Sequence, residues 1–589
     1  MTGNDQQDLL RRVNHPGRYT GGEWNISRKP FENAIRFCLI FPDLYELGAS
    51  NLSLRILYPI LCSLPEVFAD RCFMPDLDLC LLLTAEKKPL FALGSQKPLA
   101  EFDFLGFTLQ HELTYSNIIH ILNLSGIPPL RKDRGDKFPL IIGGGPSTVN
   151  PEPLADIFDL FFIGEAEQFL PEMIELYKNC REKAAFLQKA GNLDGVYLPG
   201  RYNFEFQGPL ICKVSSETGA KRVLITDLDK APLNLRDLVP YVSIVHDRAI
   251  LEIQRGCDFG CRFCLAGYIY RPRRERDPAT LISAAKEMLQ ATGWEELSLS
   301  SLSSFCHSRI TEIVDALVPV LSSLQITLSL PSLRINSQSL PLFKKISRLK
   351  KTGITLVPET GSALLRRFIN KKVSDEELFS TAQLLINEGW QTIKLYFMLG
   401  FSPETDEDVL ATAEFCRKIL EMGVRKHGNR FKLNVAVSHF VPKPHTPFQW
   451  EAFANLDSLR AKISLLSSRL HHKCIKLSYH DFESSWLEAI LSRGDRRLSQ
   501  VIIAAALAGA RLDSWGDHFR SDIWREAFDK CGVDPAWYLR ERNLDEILPW
   551  EKVETGVTRE FLLSERNLAY QFQESPSCGE KCSQCGVCP

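Results

Sequence analysis

Residues 251–264 read LEIQRGCDFGCRFC, an apolar strand-like start followed by Cys257, Cys261 and Cys264 at the spacing CxxxCxxC. Three thiolates on one short loop can each bind one iron of a [4Fe-4S] cube, which leaves the fourth iron without a protein ligand. Structural zinc takes four closed ligands, and no fourth cysteine or histidine lies nearby in the sequence, so zinc is the weaker reading of this loop. An iron with an open position can take a substrate or co-substrate, so the strand before the loop is expected to end at a ligand-binding edge.

Outward from this loop the chain alternates. Apolar stretches at 249–254, 297–300, 326–330, 354–357, 392–398 and 433–439 read as strands, and 278–292, 374–388 and 405–422 read as helices between them. Six strand-and-helix units in a row predict a partial (β/α)6 barrel of the TIM type, with chemistry at the carboxyl ends of its strands; an open doubly wound sheet is the competing topology. A second α/β series precedes it, with strand-like runs at 35–41, 102–109, 138–142 and 158–163. This pattern predicts a Rossmann-like domain, a parallel sheet covered on both faces. The turn Gly143-Gly144-Gly145-Pro146 after the third of these runs fits the carboxyl edge of such a sheet, or serves turn geometry alone. The expected organisation is a leader at 1–30, the first α/β domain at 31–176, a linking segment at 177–245, the barrel at 246–450, a mainly helical extension at 451–570 and a cysteine-rich tail at 571–589.

The CxxxCxxC spacing with an aromatic residue, Phe263, before the last cysteine resembles the signature of the radical S-adenosylmethionine (SAM) superfamily. The resemblance implies that SAM chelates the open iron, and that one electron from the cluster cleaves it to methionine and a 5'-deoxyadenosyl radical. Later strand ends agree with that family. Ser298 and Ser300 stand after the second strand, where family members set polar groups against the methionine amine. Glu359, in Val357-Pro358-Glu359-Thr360-Gly361-Ser362, stands where a polar side chain meets the SAM ribose; its alternative is an ordinary surface or capping carboxylate. Residues 399–405 and 440–447 resemble the branch that contains methylthiotransferases. His445 in the second stretch could act as an acid or base, although a structural histidine among prolines is the better default.

In the first domain, Asp43, Tyr45 and Gly48 form DxYxxG where cobalamin-binding domains carry DxHxxG. With Gly143, Gly144 and the run Gly164-Glu165-Ala166-Glu167, residues 31–176 resemble the cobalamin-binding domain fused to many radical SAM enzymes. The resemblance implies cobalamin as a further cofactor. Tyrosine is a poor cobalt ligand because its hydroxyl is neutral in the cell, so either cobalamin binds without a lower protein ligand or the domain has kept the fold, lost the cofactor and serves another role. At the other end, Cys578, Cys582, Cys585 and Cys588 suit an auxiliary iron-sulfur cluster or a four-thiolate zinc site. The order of domains resembles the uncharacterised family of B12-binding-domain radical SAM proteins with such a tail.

Composition sets the remaining bounds. The 589 residues exceed one growing core, and 70 basic against 72 acidic residues give a net charge of -2, which offers no whole-chain argument for nucleic acid or an anionic membrane. No secretory signal or apolar run of membrane-spanning length is read, so a cytoplasmic protein without membrane contact is expected. Of the 17 cysteines, the ten outside the two clusters, such as Cys38 and Cys72, are expected to be buried small hydrophobes. Arg493, Arg496 and Arg497 are expected at a solvated helix start paired with Asp495. The expected function is reductive SAM cleavage that modifies an unactivated carbon, through cobalamin-dependent methylation, methylthiolation or hydrogen abstraction, with no catalytic side chain assigned. A flavodoxin or ferredoxin is the expected electron donor, and RNA or a ribosomal component is a substrate suggested by the methylthiotransferase likeness. The competing class is an iron-sulfur protein that relays electrons or senses redox state without SAM turnover.

Overall fold

The computed structural model describes residues 3–215, 218–330, 342, 345 and 354–588. The first α/β domain holds β1 (Ile35–Phe41), β2 (Val67–Phe73), β3 (Phe104–Thr108), β4 (Leu140–Gly144), β5 (Leu160–Phe162) and β6 (Val196–Tyr197) in the order β2-β1-β3-β4-β5-β6. The first five strands are parallel; β6 pairs antiparallel to β5 and lies inside the stretch read as a linking segment. Both faces are covered, which is why β1 reads as a continuous apolar run. Cys38 and Ile40 face the helix Tyr115–Leu124 and the carboxyl-terminal helices. Phe37, Leu39 and Phe41 face the helices Leu52–Ser63 and Phe169–Asn179.

Strand β2 has no apolar run because it carries a buried polar pair. Asp70 accepts hydrogen bonds from the backbone N–H of Gly94 and Ser95, and Arg71 pairs with Glu23 at 2.8 Å.

The second α/β unit contains β7 (Ala249–Glu252), β8 (Glu296–Ser300), β9 (Thr327–Ser329), β10 (Ile354–Glu359), β11 (Thr392–Leu399), β12 (Lys432–His439) and β13 (Ile475–Tyr479). They form a three-stranded and a four-stranded sheet, both parallel and both in chain order, as a barrel wall requires and a doubly wound sheet does not. Strand β13 is an addition to the six expected and lies within the region read as helical. Helices begin where the sequence supplies caps: Asp277 caps Pro278–Thr292, and Ser374 with Glu377 forms a capping box for Asp375–Asn387.

The carboxyl-terminal helices share the core of the first domain. Leu498, Val501, Ile502 and Trp524 pack with Ile118, Ile121 and Leu122. Arg497 pairs with Asp495 as expected, but Arg493 is not solvated: it is fully buried and donates to the Arg540 carbonyl, while Arg496 reaches Glu152 at 2.8 Å. None of the described helices is long and apolar enough to cross a membrane.

The two α/β units meet through charge. Glu165 and Glu167, just after β5, reach the residues flanking the cysteine loop: Arg274 lies 2.8 Å from Glu165, and Arg255 lies 2.5 Å from Glu167 and 3.3 Å from Glu165. Burial raises the Glu165 carboxyl, but Arg274 and Arg255 outweigh it and hold the group below its ordinary 4.5. Replacing Glu165 by Gln leaves buried guanidinium groups short of a partner and should cost about 3 kcal/mol, read by urea denaturation. The stability from this pair is complete above the ordinary carboxylate range and lost as pH falls through the lowered value, so the variant should show a flatter acid limb.

Candidate active site

The carboxyl ends of the six-stranded sheet and of the three-stranded sheet face a common cavity of about 340 Å³, which no residue of the four-stranded sheet lines. The first domain contributes Thr108, Gly143–Gly145 and Glu165–Glu167; the barrel contributes Glu252, Gln254–Gly256 and Ser300–Leu302. The glycine turn is needed for close packing. A Cβ on Gly143 would meet the Phe161 ring at 2.6 Å, and Gly145 has φ +112° with its Cβ position 2.7 Å from the Leu109 carbonyl oxygen, whereas Gly144 borders open space. The walls are mostly apolar, and the charges on them are largely paired with one another.

Glu165 Oε1 and Arg222 Nε on this lining lack a hydrogen-bond partner, and so does one atom of the uncharged Gln254. It is buried, its Nε2 donates to the Ser303 carbonyl at 3.0 Å, and its Oε1 has no partner. A carbonyl can only accept, so the amide orientation is settled and the free oxygen is an acceptor awaiting a donor. A buried polar atom left unpaired costs roughly 1–3 kcal/mol, so a ligand donor there is favoured.

Gly256, on the cavity wall, leads into the three-cysteine loop. Burial and the neighbouring thiols push Cys257 up to about 12, and burial with Cys261 pushes Cys264 up to about 11, so metal binding here must displace protons. Thiolates held on one loop suit iron, and they fit a cluster with a free corner. Cys306, on the loop after β8, also acts on Cys257; its Sγ lies 3.1 Å from the Ser303 Oγ. No spacing in the sequence signals that approach.

The other sequence candidates divide. Phe263 packs against Phe401 beneath the loop, with ring centroids 6.3 Å apart. Ser300 lines the cavity, whereas Ser298 is buried within β8 and is absent from its lining. Glu359 has φ +66°, is buried, and meets Lys371 at 3.1 Å; both act on the Cys264 thiol, so the carboxylate stands beside the cysteine loop. Gly361, two residues on, was not singled out: its Cβ position lies 2.4 Å from the Thr412 Cα, so only glycine lets this turn pack on the helix Asp406–His427.

Asp43, Tyr45 and Gly48 lie off the cavity lining. Asp43 accepts from Trp515 Nε1 at 2.8 Å, the Tyr45 hydroxyl donates to Glu23 at 3.0 Å, and a Cβ on Gly48 would strike the Phe73 ring. These three residues serve packing between the first strand end, the amino-terminal segment and the carboxyl-terminal region. A group the sequence did not suggest is His111, Glu112 and Glu488, whose ligand atoms lie within 4.8 Å of one another. Lys443 reaches both carboxylates at 2.9 Å and supplies the positive charge there.

The tail packs on the cysteine loop. The Cys578 N–H donates to the Asp258 carbonyl at 2.9 Å, and Arg262 bonds Glu565, the Gln573 carbonyl and Ser575. Cys585 is buried beside Tyr268, Trp450 and Trp550; Cys582 and Cys588 are exposed.

His445 is structural in its contacts: its Nε2 donates to the Val149 carbonyl at 3.0 Å, and burial holds it down to about 4. A histidine kept neutral contributes stability fully above its ordinary 6.5 and loses it as pH falls towards 4. His445→Gln should therefore flatten the decline in thermal stability over that window.

Residues 53–199 match the family described as "Radical SAM proteins, N-terminal", and residues 251–416 match "Radical SAM superfamily". An uncharacterized protein of Methanocaldococcus jannaschii is 27% identical over 470 residues, covering 79% of this chain and 90% of the relative. A tRNA-2-methylthio-N(6)-dimethylallyladenosine synthase of Rickettsia rickettsii is 25% identical over 211 residues, 34% of this chain and 44% of the synthase. Among solved structures, the cobalamin-dependent S-adenosylmethionine radical enzyme OxsB aligns with a TM-score of 0.48 and 12% identity, over 96% of this chain and 84% of OxsB. With the two family matches falling on the two α/β units and the CxxxCxxC loop at the head of the second, the chain belongs to the radical SAM superfamily of enzymes.

Proposed function

We propose that the chain cleaves SAM at the loop of Cys257, Cys261 and Cys264 and uses the product radical to modify an unactivated carbon of a compact, mostly apolar group seated in the cavity between the two domains. The observation that supports this most is that one cavity runs from the strand ends of the first domain to Gly256 at the base of the cysteine loop. Cys257, Cys261 and Cys264 would hold a [4Fe-4S] cluster, which would supply the electron for reductive cleavage of SAM.

The protein's own groups have distinct tasks. Glu359, paired with Lys371, would accept the ribose hydroxyls of SAM, and Ser300, on the cavity lining, would offer a hydroxyl. The Gln254 Oε1 is placed to receive an N–H or O–H of the substrate. The ion pairs of Glu165 and Glu167 with Arg255 and Arg274 close the rear of the cavity, and the apolar wall keeps water from a reactive intermediate. The described lining includes no histidine, so cobalamin in this cavity would take no lower ligand from it.

Anaerobically reconstituted protein with SAM and dithionite should yield 5'-deoxyadenosine or S-adenosylhomocysteine, and alanine at Cys257, Cys261 or Cys264 should abolish both. Intact cleavage in any of the three, or a cluster spectrum indifferent to SAM, would favour an electron-relay protein instead. Glu359→Gln should keep iron content and raise KM for SAM by roughly tenfold or more, the loss of a charge-assisted hydrogen bond.

A further inference from the structure

The tail raises a question that its contacts answer. Four thiols that hold a second metal centre could donate sulfur to a substrate or pass electrons to the first site. Neither the described residues of 571–588 nor Cys257, Cys261 and Cys264 line the cavity, so the cavity does not separate the two roles and the contacts of the tail do. Its contacts are with the cysteine loop.

Those contacts are short and direct. The Cys578 N–H donates to the Asp258 carbonyl at 2.9 Å, and Asp258 is bonded to Cys257, so one peptide unit and one hydrogen bond join the two cysteine clusters. Asn370 ties the same pieces a second time: its Nδ2 donates to the Gly260 carbonyl at 3.1 Å, and its Oδ1 accepts the Ser575 N–H at 3.1 Å. The Arg271 guanidinium stands beside Cys585 and Cys578, over the Tyr268 ring at 4.5 Å and near Phe561 at 5.7 Å.

The tail also has one wet and one dry side. The Gln584 N–H donates to the Cys582 Sγ at 3.4 Å, and Gln584 and Gly586 have positive φ, which wraps the chain around the thiols. Cys585 is only 7% exposed and faces Tyr268 and Trp450, while Cys582 and Cys588 face solvent.

We infer that Cys578, Cys582, Cys585 and Cys588 hold an iron-sulfur cluster that serves as the entry port for electrons, taking them at the exposed Cys582 and Cys588 and delivering them through Cys578 and Asp258 to the cluster on Cys257. The step is a one-electron transfer. A low-potential flavodoxin or ferredoxin is oxidised, the tail cluster is reduced and then reoxidised, and the electron ends on the SAM-cleaving cluster. The inference rests on the proposed role of the three-cysteine loop.

The test uses full-length, anaerobically reconstituted protein and the double variant Cys582→Ser, Cys588→Ser, which spares the buried Cys585. The unmodified chain should hold about eight irons and the variant about four, as two cubes and one require. Electron paramagnetic resonance follows reduction, with the loop cluster recognised by its change on adding SAM. Dithionite should reduce the loop cluster in both proteins, whereas reduced flavodoxin should do so about tenfold more slowly in the variant. Zinc in the tail, or equal flavodoxin rates, would overturn the inference. A variant that loses the loop cluster as well is replaced by a freeze-quench series on the unmodified chain, where the tail signal should precede the loop signal and the reverse order counts against the port. If dithionite gives no SAM-sensitive signal in the unmodified chain, it is the reading of the three-cysteine loop that fails, and the port falls with it.

Discussion

The ion pairs that Glu165 and Glu167 make with Arg255 and Arg274 hold the two α/β units edge to edge. Neither sheet alone encloses the cavity. The first offers a glycine turn and an apolar wall, and the second offers Glu252, Ser300–Leu302 and Gln254–Gly256, the last of which leads into the cysteine loop. Buried carboxylates and guanidiniums are costly to desolvate separately, so they are stable here only when all are paired. The result is an interface that tolerates one geometry. A sliding displacement of either domain would leave charges unmatched in a mostly apolar setting.

Much of this was legible in the chain because each α/β unit repeats a simple pattern. Strands buried on both faces read as apolar runs, and helices announce themselves through Asp277 or Ser374 at their starts. Strand β2 is not legible because Asp70 and Arg71 interrupt its apolar run, and the partners Gly94, Ser95 and Glu23 lie far away in the chain. Strand β13 escaped because its outward edge is exposed and it follows a helix-rich stretch. The arginine cluster at 493–497 misled for a related reason: a fully buried Arg493, bonded to the Arg540 carbonyl, looks in sequence like any solvated basic turn.

The site was legible where ligands share one loop and hidden where they converge from afar. Cys257, Cys261 and Cys264 lie within eight residues, so spacing alone carries their chemistry. Glu359 was found because its neighbours resemble a family turn; Gly361 beside it becomes meaningful only once Thr412 is seen against it. Tyr45 is the opposite case. Its hydroxyl is turned to Glu23, and only the folded chain shows that direction.

The return of the chain from the helical region also bears on how the molecule is assembled. Residues Val553–Glu554 pair with Ala220–Lys221, and the segment that follows covers Arg262 and the cysteine loop. During synthesis, both sheets are complete before this covering segment is made. The loop therefore passes through a stage in which its thiols are open to the surroundings, which gives cluster-delivering machinery access to them while leaving them most vulnerable to oxygen.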